Sequence, residues 1–455
     1  MINRMSYQKT ETCSLAARVY MILLVVGFSS GFAYPVQAQI STETHYSNRF
    51  NPIPVAIVNV TGKEQIGERI AAVLADNLKR SGYFTILDPQ QFPEIPALDA
   101  APNFEIWRDK GVRGLIVGRS YRDDSGRLKT EFRLWDIYAE TQLVGQQFYN
   151  DPAYWRRIAH IVGDSVYNAL TGISGFFDTR IVFIDETGPR NNRSKRLAIM
   201  DQDGANIRYL TQGSSIIVTP RYSPVAQEIV FMSQKTGEQP DIQIIDLNTG
   251  GRQIVGNFPN MTSSPRFSPD GRKVLMSLQH QGYADIYLLD LTSNQTTRLT
   301  NVPAIDTAAS FSPDGTKIVF ESDRGGSQQL YIMDSDGSNQ KRLFTSPPGS
   351  YSQPVWSPRG DYIAFTRQRA GKFAIGIIRP DGTDERILAE GFHNESPAWA
   401  PNGQYVIFFR DSGGEAGGSL FMVDIFGQVE VRIPTPSSAS DPAWSPLLSA
   451  SQSSR

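Results

Sequence analysis

Cysteine and histidine are scarce in this chain of 455 residues, which has one cysteine and four histidines. Because Cys13 lies ahead of the apolar run 19–28, we predict neither a disulfide bond nor a lipid attached to cysteine. The histidines, in four separate segments, are His45, His160, His280 and His393. No group of these residues has the spacing of a metal site, so we predict no metal and no other cofactor.

The chain also lacks an excess of charge and a catalytic motif. Without its first 38 residues it has 41 basic and 45 acidic residues, a net charge of about −4. This balance argues against nucleic acid or an anionic membrane surface as a partner. The nucleophile-elbow pattern Gly27-Phe-Ser29-Ser-Gly31 falls in a segment that we predict to be removed, and no phosphate-binding loop is present. We therefore expect no catalytic residues and no enzymatic activity.

The first 38 residues have the pattern of a secretory signal peptide. Basic residues precede the apolar run 19–28, and Val36 and Ala38 are the small residues that a signal peptidase reads. The run is too short to span a bilayer, and no other stretch of about 20 apolar residues occurs. The sequence predicts cleavage after Ala38 and export without direct membrane insertion.

One motif recurs six times in the C-terminal two thirds of the chain. Its copies, spaced 45, 44, 45, 43 and 45 residues apart, are Arg221-Tyr-Ser-Pro224, Arg266-Phe-Ser-Pro269, Ser310-Phe-Ser-Pro313, Val355-Trp-Ser-Pro358, Ala398-Trp-Ala-Pro401 and Ala443-Trp-Ser-Pro446. Each copy except the last is followed by a polar turn and three short β-rich runs. A constant period with four strands per repeat predicts a repeat architecture of β-sheets.

The last copy lacks the strand that should follow it. Its missing partner is present near the start of the repeats, as Ile181-Val-Phe-Ile184. We therefore predict an all-β six-bladed β-propeller over residues 180–447, with one blade shared between the chain ends. Residues 448–455 are predicted to be a disordered tail.

A segment with a different pattern lies between the signal peptide and the propeller. Short apolar runs typical of strands alternate there with segments whose apolar residues have helical spacing, such as Ile66, Ile70 and Leu74. This alternation predicts an α/β domain over residues 51–172. Glycines mark a short linker over residues 173–179, which is too short for the domains to tumble freely.

Propellers bind ligands with the loops around one end of the central channel. The segments before the Ser-Pro steps differ in sequence from one repeat to the next, whereas the repeats that contain them are alike. This variation suits an asymmetric partner on a six-fold rim. We predict that this rim binds a partner through Thr219, Met261, Thr262, Asp306, Thr307, Tyr351, His393, Glu395 and Asp441.

The signal peptide, the small α/β domain, the Ser-Pro repeats and the closing Ala443-Trp-Ser-Pro446 together resemble the TolB family of the Tol-Pal system. The resemblance implies a non-enzymatic monomer that binds the lipoprotein Pal over the propeller channel. It also implies binding of the inner-membrane protein TolA through the segment 39–50, which begins Gln39, Ile40, Ser41, Thr42 and Glu43. Such a link supports outer-membrane integrity and constriction during cell division.

Two other classes of protein share parts of this pattern. One is an exported propeller that binds a metabolite or a sugar. The other is a propeller related to the regulatory domains of peptidases, which needs a hydrolase domain of roughly 200 or more residues. Only nine residues follow Pro446.

Overall fold

A computed structural model describes residues 51–59, 65–258, 264–344, 349–414 and 417–448 of the protein. The predicted signal peptide with its cleavage site at Ala38, the predicted TolA-binding segment 39–50, the rim residues Met261 and Thr262, and residues 449–455 lie outside this part. Within the described ranges, no helix is long and apolar enough to cross a membrane.

The N-terminal domain is a five-stranded sheet with three helices. Its elements in chain order are β1 (Ile53–Asn59), α1 (Ile66–Arg80), β2 (Phe84–Ile86), α2 (Phe104–Asp109), β3 (Gly114–Arg122), β4 (Leu128–Asp136), β5 (Thr141–Asn150) and α3 (Trp155–Thr171). The strand order is β2-β1-β3-β4-β5, in which β1 runs parallel to both of its neighbours and the other pairs are antiparallel. The predicted α/β class is correct for this domain.

Helices α1 and α3 form because their apolar residues recur every three or four positions and so face one side. Ile70, Leu74 and Leu78 of α1 are buried in one core together with Ile158 and Val162 of α3. Helix α3 ends at Gly172, whose φ of 72° requires the left-handed conformation that glycine adopts without strain. The chain then continues through residues 173–179 to the first strand of the propeller.

The remaining strands form six four-stranded antiparallel sheets. They are β6 (Arg180–Thr187), β7 (Ser194–Asp201), β8 (Arg208–Tyr209), β9 (Ser215–Tyr222), β10 (Glu228–Lys235), β11 (Asp241–Asp246), β12 (Arg252–Asn257), β13 (Arg266–Phe267), β14 (Lys273–His280), β15 (Tyr283–Asp290), β16 (Thr296–Arg298), β17 (Asp306–Phe311), β18 (Lys317–Ser322), β19 (Gln329–Asp334), β20 (Lys341–Arg342), β21 (Ser350–Trp356), β22 (Ile363–Arg369), β23 (Lys372–Ile378), β24 (Arg386–Gly391), β25 (His393–Trp399), β26 (Tyr405–Asp411), β27 (Ser419–Asp424), β28 (Glu430–Ile433) and β29 (Ser438–Trp444). This arrangement confirms the predicted six-bladed propeller.

We number the blades by their inner strands. Blade 1 has the order β29-β6-β7-β8, and blades 2 to 6 begin with β9, β13, β17, β21 and β25. In blade 1 the last strand pairs antiparallel with the first, so that Ala443 lies opposite Val182 and Trp444 opposite Ile181. The Trp444 indole also donates a hydrogen bond of 2.8 Å to the Thr179 hydroxyl. Both ends of the propeller segment therefore contribute to one sheet.

Residues 175–179 of the predicted linker are a buried part of the domain interface, whereas Ser174 is exposed. Phe176 and Phe177 are almost fully enclosed, and the Phe176 ring lies 4.5 Å from the Tyr405 ring and 5.8 Å from the Trp444 ring. Asp164 of α3 holds the segment in place, because its carboxylate accepts hydrogen bonds from the amides of Phe177 and Asp178 at 2.7 and 2.9 Å. The two domains consequently share one hydrophobic core.

Candidate functional site at the propeller channel

The antiparallel blades give the propeller two different faces. One face is formed by the segments that lead into the inner strands and by the hairpins between the second and third strands, and we call it the entry face. The other, the turn face, carries the Ser-Pro turns and the turns between third and fourth strands. The N-terminal domain packs on the turn face, where Tyr405 donates to the Ser81 carbonyl, Arg80 to the Gln202 side chain and Asn402 to the Ser174 carbonyl.

The predicted rim residues that the structure describes lie in strands and not in loops, so this part of the prediction is wrong. They belong to the inner strands of blades 1, 2, 4, 5 and 6. Successive side chains of a strand point to opposite faces of the sheet. At the position of Asp306 and its described equivalents in other blades, the side chain points into the core between two blades. Asp306 and Tyr351 are accordingly 0% exposed.

Burial gives these two residues structural partners. The Asp306 carboxylate pairs with the Arg324 guanidinium at 2.7 Å. The Tyr351 hydroxyl donates to Glu385 at 2.9 Å, and its ring packs against Phe344 and Phe365. Both side chains are buried, so the structure does not present either of them to a partner.

The other described rim residues are partly accessible. The His393 Nε2 atom lies 2.8 Å from a Glu395 carboxylate oxygen, and both side chains are about one third exposed. Thr219, Thr307 and Asp441 are half-buried. The Thr307 hydroxyl donates to the buried Glu321. The structure thus brings this group to the channel and its entry.

One residue in each of the six blades has a positive φ at the same place in the repeat. These residues, in or just before the inner strands of blades 1 to 6, are Asp441 (48°), Thr219 (51°), Ser264 (90°), Ala308 (52°), Gln353 (52°) and Ser396 (56°). In five blades the pairing register shifts at this residue, as it does at a β-bulge. Non-glycine residues adopt this conformation at a cost of order 1 kcal/mol or more each, so the six form a ring of local strain.

The sequence contains a signal for this ring that we did not recognise. In five of the six blades a proline follows the strained residue: Pro442, Pro220, Pro265, Pro354 and Pro397. Proline has no N–H for the strand ladder, and within sheets it occurs at edges and bulges. Four of the five register shifts coincide with such a proline, whereas blade 4 has the same shift with Ala309 in its place. The recurring proline therefore fits the bulge but is not required for it.

Hydrogen bonds connect the strained residues of neighbouring blades. The Thr219 amide donates a hydrogen bond to the Asp441 carboxylate at 3.4 Å. The Ser264 amide donates one to the Thr219 hydroxyl at 3.1 Å. The Ser396 amide donates to the Gln353 side chain at 2.8 Å. The Ser396 hydroxyl in turn donates to Asp441 at 2.9 Å. A side chain from one blade thus binds the backbone of the next around the channel.

Ala308 cannot take part in this pattern because its side chain has no acceptor. In its place the Glu321 carboxylate, from the second strand of the same blade, accepts the Gln353 amide at 2.5 Å. Burial raises the pKa of Glu321 above its usual 4.5, although the hydrogen bonds from Thr307 and Gln353 partly oppose this shift. The channel wall of blade 4 therefore carries a buried acid with a structural role.

A cavity of about 710 Å³ opens on the entry face over blades 6, 1 and 2. Its lining includes the basic residues Arg190, Arg193 and Lys195 and the acidic residues Glu186 and Asp411. Arg193 and Lys195 each lie 3.0 Å from Glu186, and Arg190 lies 3.0 Å from Asp411. Because these ion pairs are already formed, the cavity presents a preorganised polar surface.

Large apolar side chains are exposed on the same face. They are Ile216 near the start of β9, Tyr283 at the start of β15, Ile305 before β17 and Phe392 before β25. Phe392 is 64% exposed. Exposed aromatic and aliphatic residues beside charged ones are typical of surfaces that bind other proteins. Only Ile305 belonged to the segments that the sequence pattern singled out.

His160, Asp201 and Asp203 cluster at the domain interface and offer ligand atoms within 4.8 Å of one another. The hydrogen bonds argue against a metal ion there. The Asn77 carbonyl oxygen accepts from Arg80 and Gln202, so its amide nitrogen must donate to His160 Nδ1 at 2.8 Å. The neutral ring then has its proton on Nε2, the atom that faces the two carboxylates.

Comparison with known proteins agrees with this architecture. Residues 167–448 match the TolB beta propeller domain, and residues 46–143 match the TolB amino-terminal domain. This chain belongs to the TolB family. The structure of TolB from Acinetobacter baumannii is 28% identical and covers 89% of this chain and 98% of that chain, with a TM-score of 0.80. A putative TolB from Agrobacterium tumefaciens is 22% identical and covers 58% of this chain and 91% of that one, with a TM-score of 0.47.

Membership of the TolB family identifies the chain as a component of the Tol-Pal system. TolB homologues are periplasmic, and the family is generally non-enzymatic. Members of the TolB family in general interact with Pal and TolA-like proteins.

Proposed function

We propose that this TolB-family protein is a non-enzymatic periplasmic adaptor that binds a Pal-like lipoprotein on the entry face of its propeller. The observation that carries the proposal is the division between the two faces. The N-terminal domain packs on the turn face, whereas the entry face has the exposed Phe392 and Ile216 beside the charged cavity. A protein partner would cover these apolar side chains, and the channel mouth would lie within its footprint.

Blade 6 offers a matched pair of residues for testing this site. Phe392 on the entry face is 64% exposed, and Phe426 on the turn face is 55% exposed. We expect Phe392→Ser to weaken binding of a purified Pal-like periplasmic domain at least tenfold, measured by calorimetry. Phe426→Ser removes the same side chain from the other face and should leave the affinity unchanged. Equal losses in both variants, or none in Phe392→Ser, would place the Pal site elsewhere.

The predicted rim residues differ in how well they suit a binding test. Reversing the charge of Asp306 would break its buried ion pair with Arg324 and so lower stability, which makes it unsuitable as a binding variant. Glu395 is partly exposed and suitable. Glu395→Gln should weaken Pal binding with little change in melting temperature.

We also propose that residues 39–50 bind a TolA-like inner-membrane protein, so that the chain links TolA to Pal. This proposal rests on the family resemblance, which implies that the segment pairs as an extended peptide with the sheet edge of a partner. Deletion of 39–48 should abolish TolA binding and preserve Pal binding and the melting temperature. If the deleted protein binds TolA as tightly as the mature one, the segment is only a spacer.

A further inference from the structure

Two arginines occupy equivalent positions in the inner strands of neighbouring blades. Arg221 of β9 and Arg266 of β13 each follow the strained residue of their blade by two positions. The same position in the other four blades has small or apolar residues that are buried: Ser310, Val355, Ala398 and Ala443. The two arginines are therefore a local departure from the repeat, and both retain some accessible surface.

Both guanidinium groups are held in an unfavourable environment. Burial lowers the pKa of Arg221 and, more strongly, that of Arg266, and the charge of Arg221 lowers the pKa of Arg266 further. Two like charges close together and away from bulk water repel each other and are poorly solvated. Such a pair is costly unless an opposite charge lies nearby.

The protein supplies little of that opposite charge. Asp441 is the carboxylate that favours the charge of Arg221, but its oxygens already accept hydrogen bonds from Ser396 and Thr219. Arg221 donates to the Pro220 carbonyl at 2.7 Å. Among the described residues, Arg266 has no ion pair or side-chain hydrogen bond, and the adjacent residues 259–263 contain no acid. The local charge is thus left without a full counterion.

We propose that Arg221 and Arg266 form a binding site for a small dianionic oxyanion at the inner strands of blades 2 and 3. A guanidinium group donates two parallel hydrogen bonds to phosphate or carboxylate oxygens, so two such groups suit a ligand with two negative charges. Inorganic phosphate and a dicarboxylate such as succinate share this chemistry. The predicted rim residues Asp441 and Thr219 adjoin this site, but the proposal does not depend on Pal binding.

The test measures the melting temperature of the mature protein at increasing phosphate, with sodium chloride keeping the ionic strength constant. A ligand that binds only the folded state raises the melting temperature with a logarithmic dependence on its concentration. We expect a rise of several degrees in the unmodified protein, a similar rise with succinate and a smaller one with acetate. Arg266→Gln and Arg221→Gln should each lose most of this response.

Arg272→Gln is the matched control, because Arg272 is an exposed arginine of the same blade as Arg266. It should respond to phosphate as the unmodified protein does, which separates specific binding from the general stabilising effect of phosphate. In chloride alone Arg266→Gln should melt higher than the unmodified protein, since it removes an uncompensated charge. A phosphate response that survives in both Arg221→Gln and Arg266→Gln, or is absent from the unmodified protein, would overturn the proposal.

Discussion

The Tyr405 hydroxyl donates a hydrogen bond of 2.7 Å to the Ser81 carbonyl, 324 residues away in the chain. Tyr405 opens the second strand of blade 6, and Ser81 closes helix α1 of the N-terminal domain. Both residues are completely buried. The contact therefore joins the two domains through a polar group that has no access to water.

Tyr405→Phe should destabilise the protein, because it leaves the buried Ser81 carbonyl without this donor. The expected loss is about 1–3 kcal/mol in the free energy of unfolding, measured by thermal or denaturant unfolding. Tyr138→Phe is the control, since Tyr138 is exposed on the N-terminal domain. Similar stability of the two variants would mean that the hydrogen bond contributes nothing at the interface.

Asp164 should make the stability depend on pH. Burial raises its pKa from 3.8 to about 7 in the folded protein, although the amides of Phe177 and Asp178 partly oppose this shift. The folded state then holds a proton that the unfolded state releases, so this group's contribution to stability falls as the pH rises from about 4 to about 7 and is constant above. Asp164→Asn should show a smaller fall over this range in unfolding experiments. Asp109→Asn, at an exposed site in α2, should keep the full dependence.

Ala308 and Ala309 should respond in opposite ways to proline. Ala309 lies where five other blades have proline, so Ala309→Pro should fit the backbone and stabilise the protein by about 0.4–1 kcal/mol by restricting the unfolded chain. Ala308 has a φ of 52°, which proline cannot adopt. Ala308→Pro should lower the melting temperature sharply. Equal effects of the two substitutions would contradict the bulge geometry inferred for blade 4.

Removal of β29 should disrupt blade 1 and the domain interface together. A chain that ends at Ser437 loses the pairing with β6 and also the Trp444 ring that packs on Phe176. We expect it to lower the melting temperature by many degrees or to prevent folding, as followed by circular dichroism. A chain that ends at Leu448 keeps β29 and is the control. A truncated chain that melts with the control would show that β29 adds no stability.

Most of the fold could be predicted from the sequence because its signals are local and repeated. The Ser-Pro step recurs at a constant period, and the apolar spacing of α1 and α3 is regular over several turns. The burial of Phe176 and Phe177 could not be predicted, because it depends on two domains that meet across a segment with few residues of its own. Two successive phenylalanines in a short linker are the signal for this contact.

The candidate site was harder to predict because it depends on the details of strand pairing. Side-chain alternation buries Asp306 and Tyr351, whereas the sequence pattern suggested that their segments were loops. In blade 4 the acceptor for the Gln353 amide is Glu321, which lies in a different strand from Ala308. No sequence pattern indicates this exchange of roles. The exposed Phe392 is also visible only when the strand boundaries are known.

The pairing of β29 with β6 has a consequence for how the protein matures. The Ser445 hydroxyl accepts a hydrogen bond from the Arg180 amide at 2.9 Å across 265 residues, so blade 1 can close only when nearly all of the propeller chain is available for folding. Until then β6 is an unpaired edge rich in apolar residues, a structure that readily pairs with other chains. The propeller thus stays open until β29 is in place, and during that interval the edge of β6 is a site for mispairing with another chain.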